Sequence, residues 1–250
     1  MLNVTIHGSG RMANAISSVA KARNDLLITA TVGPDAPDWQ SSNPHFYSLD
    51  DLPALPALLI DFTLPAGTLK AARWCEERSV AFLSGVTGLP ADVIAALQTA
   101  SIKVPVLWSP NLSIGINLLV ELAKKAAAVL DPKAPVNIED IHHQWKKDAP
   151  SGTALMLGEA IASQRGSDGK EIDYSSIREG EVIGEHRITF QMDGEEFDLV
   201  HRAHDRKIYA LGAIAAGKWL VQQPPGLYSA SDWLASLNSQ PAVVNQALPL

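Results

Sequence analysis

The sequence predicts an α/β fold in which a doubly wound sheet of mostly parallel strands is interrupted by a smaller α+β domain. Short apolar runs alternate with amphipathic helical patterns over the first half of the chain, as they do in βαβ units. A glycine-rich turn joins the first strand pattern to the first helical pattern. Beyond residue 136, strand patterns and a hairpin turn follow a long helical pattern, which indicates a second domain.

The composition is typical of a globular protein and excludes several classes of function. The chain has 250 residues, 46% hydrophobic and 19% charged, which suffices for one large or two modest domains. Its net charge of −7, without a basic stripe, gives no support to nucleic-acid binding. The one cysteine, Cys75, excludes an internal disulfide and a multi-cysteine zinc site. Neither a transmembrane run nor a signal-peptide pattern is visible, so we expect a cytoplasmic protein that does not bind membranes.

The first predicted strand, residues 2–7, leads directly into a glycine-rich run from Gly8 to Ala13. This run matches the G-x-G-x-x-G/A dinucleotide motif in the context that the motif requires, after a strand and before a helix. The glycines permit a tight turn and the close approach of a pyrophosphate, whose charge the start of the helix attracts. A turn without a ligand is the simpler interpretation of the motif alone, but its context favours cofactor binding.

The second predicted strand, residues 26–32, ends without the residue that usually selects the cofactor. In dinucleotide-binding folds an acidic residue there holds the ribose hydroxyls, whereas an arginine accommodates the 2′-phosphate of NADPH. This strand ends in Val32-Gly33-Pro34, and Asp35 is more simply explained as a solvated loop residue. The sequence therefore leaves the choice between NADH and NADPH open, and we expect use of both with a modest preference.

Three further strand patterns of the first domain each end in a turn and precede a helical pattern. These strands and helices cover residues 58–63, 68–78, 80–83, 91–100, 104–108 and 116–130. Gly85-Val86-Thr87-Gly88 and Ser109-Pro110-Asn111-Leu112 follow the second and third of these strands. The carboxyl ends of parallel strands share one edge of a sheet, so these turns are expected at the cofactor crevice. Ordinary strand-to-helix connections would use the same residue types.

The second domain begins with a predicted strand, residues 136–141, that leads into a charge-dense loop. The loop contains His142, His143 and Lys146 within five positions. Histidine suits proton transfer because its unperturbed pKa of about 6.5 lies near working pH. Histidine and lysine pairs are also common on solvated turns, so this loop alone would not establish a site.

Ser151, Gly152 and Thr153 open the helical pattern that follows this loop and runs to about residue 163. Ser151 or Asp148 can cap that helix, and the start of a helix attracts anions because its N–H groups and dipole point toward the ligand. This combination of a histidine, a lysine and a helix start that binds anions suits a small carboxylate substrate that must receive a proton. A cap without a ligand is the simpler alternative.

The run from His142 to Ala154, H-H-x-x-K-x-D-A-P-S-G-T-A, closely resembles the signature of the 4-hydroxy-tetrahydrodipicolinate reductase (dihydrodipicolinate reductase) family. Further similar segments extend from residue 4 to about residue 220, including residues 61–68, 109–117 and 201–206. The resemblance implies reduction of 4-hydroxy-tetrahydrodipicolinate to tetrahydrodipicolinate by NADH or NADPH, in diaminopimelate and lysine biosynthesis. It also implies a homotetramer that assembles through the second domain.

The same resemblance assigns roles to individual residues. His142 is expected to be the proton donor or its orienting partner, and Lys146 the second donor. The residues expected to hold the carboxylates of the dicarboxylate substrate are His143, Ser151, Gly152 and Thr153. The residues expected to contact the cofactor are His7, Gly8, Ser9, Gly10, Arg11, Met12, Gly85, Val86, Thr87, Ser109, Pro110, Asn111 and Leu112.

The sequence departs from the family pattern at three places, one of which is the absence of an acidic residue after the second predicted strand. His7 stands where many relatives have glycine, and only a short segment precedes residues 178–186, where relatives carry a longer insertion. Two alternatives to the reductase are therefore kept: a related dehydrogenase of another small dicarboxylate, and a non-catalytic nucleotide-sensing protein on the same fold.

The rest of the second domain is predicted to contain three antiparallel strands, residues 172–177, 184–192 and 196–203, with a hairpin turn at residues 192–195. Helices are expected at residues 210–220 and 231–237. We expect residues 1–113 and 213–250 to form the dinucleotide-binding domain, and residues 114–212 the substrate-binding and oligomerisation domain. No metal site is expected, because the histidines of the second domain lack a helical His-x-x-x-His pair. Residues 238–250 show no interpretable pattern.

Overall fold

The computed structural model of the chain describes residues 1–39 and 41–238. It divides into two compact units. One comprises Met1–Ser113 together with residues 209–238, and the other comprises Ile114–Ile208.

The strands and helices are numbered in chain order. The strands are β1 (Leu2–His7), β2 (Leu26–Val32), β3 (His45–Phe46), β4 (Leu58–Asp61), β5 (Ala81–Ser84), β6 (Pro105–Trp108), β7 (Val136–His142), β8 (Ile172–Arg178), β9 (Gly184–Met192), β10 (Glu195–Ala203) and β11 (Gly226–Tyr228). The helices are α1 (Arg11–Lys21), α2 (Pro65–Arg78), α3 (Ala91–Ala100), α4 (Ile114–Val129), α5 (Gly152–Arg165), α6 (Lys207–Leu220) and α7 (Ala230–Asn238).

The first unit contains a seven-stranded sheet in the order β11-β6-β5-β4-β1-β2-β3, and every neighbouring pair is parallel. The chain leaves β1 toward β2 on one side and later returns to β4 on the other side. This reversal of strand order is the topological switch point at which open α/β sheets bind ligands, outside the carboxyl ends of the strands. The predicted α/β fold with a parallel dinucleotide-type sheet is confirmed.

The central strands of this sheet are apolar except at their carboxyl ends, as is usual for buried parallel strands. Leu58, Leu59 and Ile60 of β4 are all 0% exposed, as are Phe82 and Leu83 of β5. α2 begins at Pro65, three residues earlier than the helical pattern predicted, because proline is well tolerated in the first turn of a helix. The two short edge strands, β3 and β11, carry too few residues to show a strand pattern and were not predicted.

The second unit contains a four-stranded sheet in the order β10-β9-β7-β8, with α4 and α5 packed against it. Along β7, buried residues alternate with half-buried ones, as expected for a strand whose two faces differ. Ile138, Leu157 and Phe190 form part of the core between the sheet and the helices, and all three are 0% exposed.

The three later strands alternate in direction, as predicted, but only β9 and β10 pair with each other, whereas β8 pairs with β7. β8 runs parallel to β7, because α5 and its loops form a crossover connection long enough to reverse the chain twice. β9 and β10 are instead joined by a tight turn at Asp193 and Gly194, and Gly194 has a positive φ of 83°. In the second unit, β7, α5 and β8 therefore form a βαβ arrangement, which the strand patterns alone did not show.

Candidate functional site

The second unit contains a buried carboxylate, Asp140, on which four hydrogen-bond donors converge. Its Oδ1 lies 3.0 Å from Nδ1 of His142 and 2.7 Å from Nη1 of Arg178. Its Oδ2 accepts hydrogen bonds from the hydroxyl of Ser176 at 2.7 Å and from the N–H of Ser151 at 3.1 Å. Burial raises the pKa of Asp140, but the hydrogen bonds from Ser176 and Ser151 and the nearby Arg178 outweigh it, and the net pKa is lowered. Asp140 is therefore an anion that holds its neighbours in place.

Strand geometry explains how these side chains meet. Asp140 and His142 are two residues apart on β7 and so lie on the same face of the sheet. The parallel register places Ser176 beside Asp140 and Arg178 beside His142. The cluster therefore depends on the pairing of β8 with β7, which the strand patterns did not predict.

Asp140 fixes the hydrogen positions on the His142 ring. Because an ionised carboxylate only accepts hydrogen bonds, Nδ1 of His142 carries the hydrogen, and Nε2 is the nitrogen left for a ligand. Burial lowers the pKa of His142, and the charge of Lys146 lowers it further, although Asp140 acts in the opposite direction. His142, at 8% exposed, is thus a largely neutral imidazole near pH 7 in the free protein.

His186 of β9 lies opposite Asp140 in the antiparallel register and extends the cluster. Its ring is in edge-to-face contact with His142, with ring centroids 5.2 Å apart, and its Nε2 lies 3.3 Å from the hydroxyl of Ser151. Burial, and then the charge of His142, lower the pKa of His186 to about 3. Its Nδ1 is buried and has no hydrogen-bond partner within the described ranges. His186 could not be assigned to this cluster from the sequence, because its position depends on the register of β9.

Ser151, one of the two candidate caps from the sequence, is the N-cap of α5. Its hydroxyl accepts a hydrogen bond from the N–H of Ala154 at 3.1 Å, which leaves the hydroxyl hydrogen for Nε2 of His186. With its own N–H bonded to Asp140, Ser151 is only 2% exposed. Gly152 and Thr153 occupy the first two positions of α5, at the positive end of the helix dipole.

The loop between β7 and α5 carries the other predicted residues. Lys146 is half-buried, and its Nζ lies 2.8 Å from the carboxylate of Asp148. Nη2 of Arg178 donates a hydrogen bond of 2.7 Å to the backbone carbonyl of Asp148, so the arginine that pairs with Asp140 also holds this loop. The ring of His143 lies over that of Trp145 with centroids 5.9 Å apart, and its Nδ1 is buried without a partner among the described residues.

In the first unit, the carboxyl ends of five strands lie in one row. The register places Val32 of β2 beside His7 of β1, His7 beside Asp61 of β4, Asp61 beside Ser84 of β5, and Ser84 beside Trp108 of β6. Because the predicted cofactor segments directly follow these positions, the sheet brings them to one edge.

The turn after β1 has the form that binding of a phosphate requires. Gly8 has a positive φ of 124°, and a Cβ there would lie 3.0 Å from the carbonyl oxygen of Phe62. Gly10 is the N-cap of α1 and offers no side-chain hydrogen bond to the first N–H groups of the helix. Those groups have no partner within the helix, and a Cβ on Gly10 would meet nothing within 4 Å. This open helix start fits a dinucleotide pyrophosphate.

His7, which stands in place of the usual glycine, is held by Asp61. Its Nδ1 lies 3.1 Å from Oδ1 of Asp61, and it is 9% exposed. Asp61 also accepts hydrogen bonds from Thr63, Thr68 and Ser84 at 2.7–3.0 Å. The side chain of His7 is therefore fixed at the base of the glycine turn.

The other predicted cofactor residues differ in accessibility. The side chains of Val86, Ser109 and Leu112 are buried, so only their backbone atoms could contact a ligand. The predicted cofactor residues whose side chains are exposed or half-buried are Ser9, Arg11, Met12, Thr87, Pro110 and Asn111. Gly85 packs against the ring of Phe62 so closely that a Cβ would overlap it.

A cavity of about 820 Å³ in the first unit extends from the glycine turn to the end of β2 and to α2. Its lining includes Lys70, Arg73 and Trp74, none of which was a candidate from the sequence. These residues lie far along the chain from the glycine turn, and no local motif marks them.

Two further properties concern the described residues as a whole. They contain no helix long and apolar enough to cross a membrane. They also contain no group of three or more His, Cys, Asp or Glu residues placed to hold a metal ion.

Comparison with known proteins gives one consistent result. Residues 2–112 match the family model described as dihydrodipicolinate reductase, N-terminus, and residues 115–234 match the model for the C-terminus of the same family. The chain is 40% identical over 238 residues to the 4-hydroxy-tetrahydrodipicolinate reductase of Stenotrophomonas maltophilia (strain K279a), covering 93% of this chain and 98% of that protein. The enzyme of the same name from Anaeromyxobacter sp. (strain Fw109-5) is 36% identical over 262 residues, with coverages of 94% and 98%.

Solved structures give the same fold. Dipicolinate-bound dihydrodipicolinate reductase from Paenisporosarcina sp. TG-14 superimposes with a TM-score of 0.81 at 24% identity, covering 92% of this chain and 97% of that chain. A diaminopimelate dehydrogenase from C. glutamicum is less similar, with a TM-score of 0.59 at 12% identity over 96% of this chain and 98% of that chain.

Proposed function

The chain belongs to the dihydrodipicolinate reductase family, and on this premise we propose that it reduces 4-hydroxy-tetrahydrodipicolinate to tetrahydrodipicolinate. The observation that carries the proposal is the buried Asp140–His142 pair beside Lys146 and the start of α5. These residues combine groups for proton transfer with a site for carboxylates. The relative from Paenisporosarcina was solved with dipicolinate, which supports a small dicarboxylate as the substrate.

The nicotinamide dinucleotide supplies the hydride when it is bound. We propose that it is held by the open start of α1, with Gly8, Ser9, Gly10, Arg11 and Met12 around its pyrophosphate. The turns after β5 and β6 are proposed to contribute further contacts, mainly through backbone atoms at Val86, Ser109 and Leu112. On this proposal, residues 1–113 and 213–250 form the dinucleotide-binding domain, and residues 114–212 form the substrate-binding domain. We propose that the enzyme acts in the cytoplasm.

Lys146 is proposed to donate the proton that accompanies reduction, and His142 to orient and assist it. The ammonium group of Lys146 carries a hydrogen to donate, whereas the lowered pKa of His142 favours a neutral ring in the free protein. Nε2 of that ring is an acceptor for the substrate or for Lys146. A bound dicarboxylate would raise the pKa of His142, because a nearby negative charge stabilises the imidazolium form.

The substrate carboxylates are proposed to bind His143 and the start of α5 at Gly152 and Thr153. The positive end of the helix dipole favours an anion there. Ser151 is proposed to act indirectly, because both its N–H and its hydroxyl already bond within the protein. It then positions α5 relative to Asp140 and His186.

The test is a reduction assay with freshly generated 4-hydroxy-tetrahydrodipicolinate, run separately with NADH and with NADPH. We expect turnover with at least one cofactor, and loss of it in His142→Gln protein of unchanged melting temperature. Cofactor binding without turnover of this substrate would point to a dehydrogenase of another dicarboxylate. Nucleotide binding without turnover of any dicarboxylate would point to a sensing protein.

A further inference from the structure

The cavity in the first unit joins the glycine turn to a wall that the cofactor motif does not include. One side is formed by Gly8, Ser9 and the end of β2 at Val32 and Gly33. Residues of α2 form another part of the lining. In dinucleotide-binding folds the adenosine ribose lies near the end of β2, so whatever selects between NADH and NADPH must face this cavity.

The end of β2 cannot make that selection with its own side chains. Val32 is 1% exposed, Gly33 has no side chain, and Pro34 has no charge. Gly33 also lies close to Ser9, since a Cβ there would be 3.4 Å from the Ser9 hydroxyl. Groups that recognise the ribose must therefore come from another part of the cavity wall.

The charged side chains that line the cavity include more cations than carboxylates. Three cations, Lys70, Arg73 and Arg78, and two carboxylates, Asp50 and Glu77, line the cavity. Arg78 pairs with both carboxylates, at 2.7 Å from Asp50 and 3.1 Å from Glu77.

Two further contacts hold this group of residues in place. The indole N–H of Trp74 donates to Asp50 at 3.1 Å, and the guanidinium of Arg78 lies 5.0 Å from the Trp74 ring centroid. Both acidic groups of the wall are therefore already satisfied by neighbouring side chains.

Lys70 and Arg73 remain available. They are three residues apart on α2 and so project from the same side of the helix. Both are exposed, and in the described ranges neither side chain forms an ion pair or hydrogen bond. These two unpaired cations line the cavity in which the ribose is expected, and they provide the positive charge that a phosphate monoester requires.

We infer that Lys70 and Arg73 form a subsite for the 2′-phosphate of NADPH, so that this chain prefers NADPH over NADH. The inference rests on the proposed dinucleotide-dependent function. It replaces the expectation of a modest preference, which considered only the residues that directly follow β2. Here the phosphate is recognised from α2, across the cavity.

The binding test uses nucleotide fragments, so that it does not depend on turnover. Calorimetric titration of the full chain with 2′,5′-ADP and with 5′-AMP compares ligands that differ by the 2′-phosphate alone. We expect 2′,5′-ADP to bind at least about tenfold more tightly, with a strong dependence on salt. Lys70→Ala and Arg73→Ala should each reduce that ratio about tenfold, and affinity for 5′-AMP should not change.

The matched control is Lys103→Ala, which removes an exposed cation of the same unit that is paired with Glu76 and does not line the cavity. It should leave both affinities unchanged. Equal affinity for the two nucleotides in the wild-type chain, or an unchanged ratio in both α2 variants, would overturn the inference while leaving the reductase proposal intact. Absence of turnover with the expected fragment affinities would instead count only against the reductase proposal.

Discussion

Four hydrogen-bond donors converge on Asp140, and this carboxylate determines the tautomer of His142. Asp140→Asn preserves the size of the side chain but removes its charge and one acceptor. We expect kcat to fall about a hundredfold, because the orientation and basicity of His142 both depend on this carboxylate. The free energy of unfolding should also fall by about 3 kcal/mol, because Arg178 loses its buried partner.

A kinetic pH profile separates a positioning role from a purely structural one. The charge of Asp140 raises the pKa of His142, so its removal should move the acidic limb of the profile to lower pH. A variant that is less stable but has wild-type kcat and an unshifted profile would show that Asp140 serves only the fold.

The residues of the loop and of the start of α5 should fail in different ways. His142→Gln and Lys146→Ala should each lower kcat by roughly a hundredfold or more, the usual effect of losing a proton-transfer group. Thr153→Ala should act mainly on KM, because a carboxylate contact is present before and during the chemical step. Cofactor affinity should be unchanged in all three, as the proposed cofactor site lies in the other unit. Near-normal kcat in both His142→Gln and Lys146→Ala would refute the mechanism.

The depressed pKa of His186 makes stability depend on pH. The unfolded chain takes up a proton at this residue at a pKa of about 6.5, whereas the folded chain does so only at about 3. Between these values the unfolded state binds more protons, so stability falls as the pH is lowered from 6.5 toward 3. We expect His186→Gln to flatten the dependence of melting temperature on pH between about 4.5 and 6.5. Asp140, whose lowered pKa acts below its ordinary value of 3.8, contributes little in that window. Parallel slopes for wild type and variant would contradict the assignment.

At the scale of elements, the sequence predicted most helices and strands because their apolar spacing is strong. β2 begins and ends at the predicted residues, and the predicted hairpin joins β9 to β10. The pairing of β8 with β7 was not predicted, because side-chain alternation does not identify the neighbour of a strand. The cluster around Asp140 was not predicted for the same reason, because Ser176 and Arg178 reach Asp140 only in the parallel register.

The turn into α1 offers a clean test of cofactor binding. Gly10 has a φ of −87°, and a Cβ there would contact nothing, so Gly10→Val should fold normally. The added bulk should block the approach of the pyrophosphate and lower dinucleotide affinity. Gly8→Ala is the contrasting variant, because its positive φ and the nearby carbonyl of Phe62 should lower the melting temperature itself. Unchanged cofactor affinity in Gly10→Val would show that the run from Gly8 to Ala13 is only a structural turn.

At the scale of the whole molecule, the site residues that belong to local motifs were predictable from the sequence. The site residues that the fold brings together from distant segments were not. The glycine turn and the run from His142 to Thr153 are contiguous in sequence and were predicted. Lys70 and Arg73 reach the cavity beside β2 through the packing of α2, and His186 reaches Ser151 through strand pairing. Such long-range placement depends on register and packing, which a single sequence does not specify.

Assembly of the chain is the remaining expectation at this scale. The second unit exposes Leu122 (46%), Val129 (72%) and Phe197 (42%) around a groove of about 380 Å³, which supports a homotetramer formed through this unit. Leu122→Glu should shift the species measured by light scattering from tetramer to smaller assemblies. Leu55→Glu, at an exposed leucine of the first unit, is the control. A wild-type monomer, or a tetramer unaffected by Leu122→Glu, would contradict this expectation.

Ser151 illustrates how one hydroxyl group can be constrained from two directions. It closes the first turn of α5 by accepting from Ala154, and it contacts His186 beside His142. In a library of random variants, a screen for folded protein and a screen for turnover should therefore reject the same substitutions at this position. An evolutionary record of Ser151 would then not distinguish selection for folding from selection for catalysis.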